Sequence, residues 1–88
     1  MSEVKQNLRR FLEEDSFYQD SIKRGFADDF PLMDSGALDS LGILNLLVFI
    51  ETRFLITVGI EDLSEANFAT LSKIEKFVQS KTVPKHGS

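Results

Sequence analysis

The chain has 88 residues, 42% of them apolar and 27% charged, with a net charge of −4 and no cysteine. That length supports one small domain, which buries only about 60–65% of its unfolded surface. The acidic balance excludes a phosphate-backbone binder, whose footprint is a basic stripe, and the lack of cysteine excludes disulfides and thiolate metal sites.

Charge is unevenly placed. Between Arg24 and Arg53 there is no Lys or Arg, while Asp28, Asp29, Asp34, Asp39 and Glu51 fall there. Such a segment is either a solvated acidic loop or an electrostatic guide for basic partners. The first residues lack the basic start and apolar core of a signal peptide. The longest apolar run, residues 43–50, is broken by Asn45 and is far shorter than the roughly 20 residues that span a bilayer. A cytoplasmic protein with neither membrane nor nucleic acid among its partners is expected.

Val4, Leu8, Phe11 and Leu12 recur at i, i+4, i+7 and i+8, which predicts an amphipathic helix over residues 2–15. Lys5, Arg9, Arg10, Glu13 and Glu14 take its other side. Phe17, Tyr18, Ile22 and Phe26 follow at helix-like intervals, with Ser16 as a candidate N-cap. This stretch reads as either a second short helix or a packed loop, and its aromatics as core. From residue 25 to 38 the periodicity fails, and Asp28-Asp29-Phe30-Pro31 and Asp34-Ser35-Gly36 are turn signals. Phe30, Leu32 and Met33 pin this connection to the core. A long ordered loop is uncommon in a small domain and is often functional.

The next helix is expected from Asp39 or Ser40 to Phe54, since Asp and Ser are both favoured at an N-cap. Leu41, Leu44, Leu47, Val48 and Leu55 give its inward face, while Ile43, Leu46, Phe49 and Ile50 carry apolar surface around most of the circumference. A helix apolar nearly all round is either central to a bundle or keeps a bare face for a partner. Residues 56–60 have strand-like composition but no partner strand, and read as an extended connector. Residues 61–68 read as one short helix. Thr70 then caps a last helix with the stripe Leu71, Ile74, Phe77 and Val78, ending near Lys81. Residues 82–88, with Pro84 and Gly87, form a disordered tail behind a domain over 1–81. The fold class is all-α: a small four-helix bundle of three main helices and a short third, with a long loop between the first two.

Ser40 stands at the junction of that loop with the most apolar helix. A serine at a helix start commonly serves as a cap. The same place offers a partial positive charge and free N–H groups that tolerate a phosphate. Ser35 is the one competing serine, in a turn with no helix behind it.

Asp39-Ser40-Leu41, preceded by Gly36 and the Pro31-Leu32 loop and followed by Leu44, Leu47, Ile50-Glu51 and Phe54, resembles the phosphopantetheine attachment site of acyl and peptidyl carrier proteins. The resemblance runs from about Phe30 to Val78. It includes the Ile60-Glu61-Asp62-Leu63 connector and the Asn67-Phe68-Ala69-Thr70-Leu71 run. It implies that a phosphopantetheinyl transferase moves 4'-phosphopantetheine from coenzyme A onto Ser40, whose arm then carries acyl cargo as a thioester. Asp39 and Leu41 would serve recognition by the transferase. Fatty-acid-synthase carriers place carboxylates soon after Asp-Ser-Leu, whereas here Gly42, Ile43 and Asn45 stand there and the next acid is Glu51. Partners are therefore expected to use apolar contacts at Ile43, Leu46 and Phe49, with Glu51 as the recognition carboxylate.

The implied protein is a monomeric carrier and not an enzyme, with no catalytic or metal-binding residues of its own. Its expected partners are the transferase, a cargo-loading ligase or adenylating enzyme, and downstream acyl-processing enzymes. The Gly-Ala-Leu-Asp-Ser opening is more like stand-alone carriers of D-alanylation, amino-acid or secondary metabolism, so an aminoacyl, peptidyl or D-alanyl carrier is the alternative. A serine hydrolase lacks its Gly-x-Ser-x-Gly elbow, and the single histidine, His86, lies in the tail. A DNA-reading helix would be polar and basic, unlike this one. An unmodified interaction domain that docks the apolar helix in a partner groove remains a further reading, with no chemistry at Ser40.

Overall fold

The computed structural model describes residues 3–15, 18 and 22–82. Helix α1 (Glu3–Glu14) forms where the 3.6-residue stripe demands it, burying Leu8 and Leu12, with Val4 and Phe11 half-buried beside them. Its charged side reaches the loop. Lys5 Nζ pairs with Asp28 Oδ2 at 2.7 Å and with Glu75 at 3.7 Å. Arg9 pairs with Asp28 Oδ1 and with Glu13, donates to the Phe26 carbonyl at 2.6 Å, and lies 4.5 Å over the Phe26 ring.

Helix α2 (Ser40–Phe54) begins at Asp39 as N-cap and ends at Leu55, whose φ of 57° places it in the left-handed region. Glycine is the residue suited to such a C-cap, because it has no Cβ to strain. Residues 56–59 form no strand among the described residues, and Val58 anchors this connector in the core. The short helix expected over 61–68 is divided. A 3-10 turn covers Ile60–Asp62, and α3 (Glu65–Phe68) starts anew because extended Ser64, at φ −127° and ψ 163°, interrupts the helix. Helix α4 (Leu71–Thr82) buries Leu71, Ile74, Phe77 and Val78, and the Thr70 hydroxyl accepts from the Lys73 N–H at 3.2 Å. Thr82 is thus helical rather than the first tail residue. The rest of the expected tail, with His86, lies outside the described residues, as do Ser16 and Phe17.

The described elements make a small all-helical bundle in which α4 packs against α1, α2 and α3. The long loop is tied to the α3–α4 corner. Leu32 N–H donates to the Ala69 carbonyl at 2.8 Å, and Ser72 N–H donates to the Asp28 carbonyl at 3.1 Å. Tyr18, Ile22, Phe26 and Leu32 are buried, so the described aromatics before the loop, Tyr18 and Phe26, are core. No helix among the described residues is long and apolar enough to cross a membrane.

The expected orientation of α2 is reversed. Gly42, Leu46 and Ile50 face the core, whereas Leu41, Leu44, Val48 and Leu55 are 67%, 52%, 59% and 88% exposed. At 100° per residue Leu41, Leu44 and Val48 fall within about 60° of arc, so they form one stripe. Only Leu47, half-buried, keeps part of the inward role expected of it. Apolar residues on every side leave no asymmetry for periodicity to read. Tyr18 packs against the small surface of Gly42 on the buried side of the helix.

Candidate functional site

The loop delivers the chain to α2 through a short run of turns. Ser35 N–H donates to the Pro31 carbonyl and Gly36 N–H to the Met33 carbonyl, both at 3.0 Å. Gly36 takes φ of 83°, a conformation that L side chains rarely adopt. Buried Ala37 and Leu38 then seat the strand of chain before the helix, and Leu38 N–H closes on the Leu32 carbonyl at 2.8 Å. Ser35 is consumed by its turn: its Oγ donates to the Leu32 carbonyl at 3.3 Å and accepts from Ala37 N–H at 3.3 Å.

At the junction Asp39 and Ser40 have separate tasks. Asp39 Oδ1 accepts the Gly42 N–H at 2.8 Å, and its carbonyl accepts from Ile43 N–H at 2.8 Å. The cap is therefore a carboxylate, which also complements the positive end of the helix dipole. Ser40 is not needed for capping. It is the first residue of α2, exposed, with a hydroxyl that no other described residue engages. Beneath it the Tyr18 hydroxyl donates to the Gly42 carbonyl at 2.6 Å, and Asn45 Nδ2 reaches Tyr18 Oη at 3.5 Å. Burial pushes the Tyr18 phenol up to about 12.

Around this point the expected recognition residues separate. Asp39, Ser40 and Leu41 stand together at the surface of the junction. Leu46 is fully buried and unavailable to a partner. Ile43 is half-buried, and half-buried Phe49 stacks on Phe11 at 4.1 Å between ring centroids. Glu51 Oε2 accepts the Val58 N–H at 2.8 Å, so its carboxylate is engaged in holding the connector. Sequence reasoning missed Leu44 and Val48 as surface residues, and missed Tyr18 as a polar contact. A glycine in the first turn of an otherwise large-residue helix was the signal for Tyr18.

No family model matches the chain. Individual relatives do. The D-alanyl carrier protein of Streptococcus suis (strain 05ZYH33) is 32% identical over 72 residues, covering 82% of this chain and 86% of that protein. The probable acyl carrier protein PigG of Serratia sp. (strain ATCC 39006) is 30% identical over 71 residues, covering 80% and 82%. A second D-alanyl carrier protein, from Streptococcus suis (strain 98HAH33), is 29% identical over 72 residues. The chain belongs to the acyl carrier protein family, and its role is that of a carrier.

Proposed function

We propose that Ser40 is the attachment residue for 4'-phosphopantetheine and that the protein delivers thioester-bound acyl groups to partner enzymes. The observation that carries this reading is the division of labour at the junction: Asp39 caps the helix, which leaves the exposed Ser40 hydroxyl free for modification. A phosphoester at the first turn of α2 is electrostatically acceptable there. In the transfer, a bond forms between Ser40 Oγ and the pantetheine phosphorus of coenzyme A. The pyrophosphate bond breaks, the adenosine bisphosphate departs with its electron pair, and the serine proton is released. The arm supplies a terminal thiol, which this cysteine-free chain lacks.

Partners in this reading are a phosphopantetheinyl transferase, a cargo-loading ligase and acyl-processing enzymes. They dock on Leu41, Leu44 and Val48, the exposed stripe that starts beside Ser40, and not on Leu46. The two D-alanyl carrier relatives favour a second form of the same reading, in which the cargo is D-alanine.

Incubation with coenzyme A and a broad-specificity transferase, followed by intact-mass measurement, tests the attachment. Wild type should gain one phosphopantetheine and Ser40→Ala none. A wild type that gains no mass, or a gain that survives Ser40→Ala, refutes it. Loading of the modified protein by ligases supplied with D-alanine, other amino acids or fatty acids then distinguishes the cargo.

A further inference from the structure

We infer that the Tyr18 hydroxyl is a positioning group for Ser40: by holding the Gly42 carbonyl it fixes the first turn of α2 in the form the modifying enzyme accepts. This rests on the reading of Ser40 as the attachment residue.

The first turn of a helix has unpaired N–H groups and frays readily. Here the third residue of α2 is held at both ends of its backbone. Asp39 Oδ1 takes the Gly42 N–H at 2.8 Å, and Tyr18, 24 residues earlier in the chain, donates to the Gly42 carbonyl at 2.6 Å. Gly42 leaves room for both partners. A Cβ at position 42 would stand 3.3 Å from Asp39 Oδ1, tighter than most such contacts, and 3.4 Å from the Tyr18 ring, at the edge of ordinary van der Waals contact. Tyr18 is fully buried, and Gly42 turns toward the core while Ser40 turns to solvent. Tyr18 therefore touches no substrate, and its hydroxyl acts through the Gly42 carbonyl, with Asn45 Nδ2 also 3.5 Å from it. Its phenol keeps the donor proton at neutral pH.

Tyr18→Phe keeps the ring and removes the donor. Loss of a buried hydrogen bond of about 1 kcal/mol raises local opening about fivefold. Amide exchange at Gly42 and Ile43 should speed up by up to about twofold, the most a turn already open about half the time allows, while Ile74 in α4 stays at its wild-type rate. Terminal turns open at close to zero free energy, so the competent fraction falls, and the KM for this protein as transferase substrate should rise about two- to threefold at unchanged kcat. A role in global stability alone would lower the unfolding midpoint and leave the KM in place. Should Tyr18→Phe not fold, Gly42→Ala crowds the same contact and should raise exchange and KM alike, although alanine is the better helix former. Wild-type exchange or wild-type KM in the variant, alongside a normally modified wild type, overturns the positioning role and leaves the attachment intact. A wild type that is never modified overturns both.

Discussion

At the scale of single residues, two backbone positions of α2 respond in opposite ways to substitution. Asp39 supplies the cap, so Asp39→Ala should destabilise the protein by about 1 kcal/mol in denaturant unfolding, while Asp39→Asn should lose less because it still accepts from Gly42 N–H. Leu55 closes the same helix in a left-handed conformation that is costly for a side chain with a Cβ, and it is 88% exposed, so it recovers little by burial. Leu55→Gly should therefore be neutral or stabilise by up to about 1 kcal/mol. Neither effect could be read from composition. The N-cap was expected, but Asp39 and Ser40 were equal candidates for it. The choice between them rests on which side chain reaches Gly42 N–H.

At the scale of elements, α2 separates what hydrophobicity alone leaves together. Leu46→Ala should cost about 2–5 kcal/mol because it opens a cavity against fully packed neighbours. Leu44→Glu and Val48→Glu, on the exposed stripe, should stay within about 0.5 kcal/mol of wild type in unfolding. In the proposed reading they should also reduce transfer to partner enzymes about tenfold or more, as expected of central contacts in an interface. A Leu46→Ala protein as stable as wild type would show that the helix is turned the other way. The helices α1 and α4 were legible in the sequence, since each has a polar side that fixes its stripe: Leu8 and Leu12 in one, Leu71, Ile74, Phe77 and Val78 in the other. Helix α2 was legible in extent but not in rotation. Its uncharged run from Ser40 to Ile50 contains no residue that must face water. The loop-to-helix junction at Ser40 was legible, and the side of α2 that is exposed was not.

At the scale of the whole molecule, charge links α1, the loop and α4. The Lys5 ammonium bonded to Asp28, with Arg9 beside it, holds the Asp28 carboxyl below the usual carboxylate range. A carboxylate with a depressed folded-state pKa contributes stability that is present above its unfolded value, near 3.8, and is lost as pH falls through the folded value. Asp28→Asn should remove part of the acid limb of the stability profile and leave the alkaline limb alone. Tyr18 gives the converse. Its pKa is raised from 10.0 to about 12, so its contribution is complete below pH 10 and lost between there and pH 12. Tyr18→Phe should flatten that alkaline loss, as followed by circular dichroism.

The two bonds that tie the loop to the α3–α4 corner, from Leu32 to Ala69 and from Ser72 to Asp28, also set a mechanical limit. A loop tied at Asp28 and at Leu32 holds the approach to α2 against the body of the bundle. In the proposed reading, the distance between successive active sites is then spanned by the reach of the arm on Ser40 and by tumbling of the whole particle. The polypeptide in that reading acts as a stiff handle, and the travel belongs to the tether.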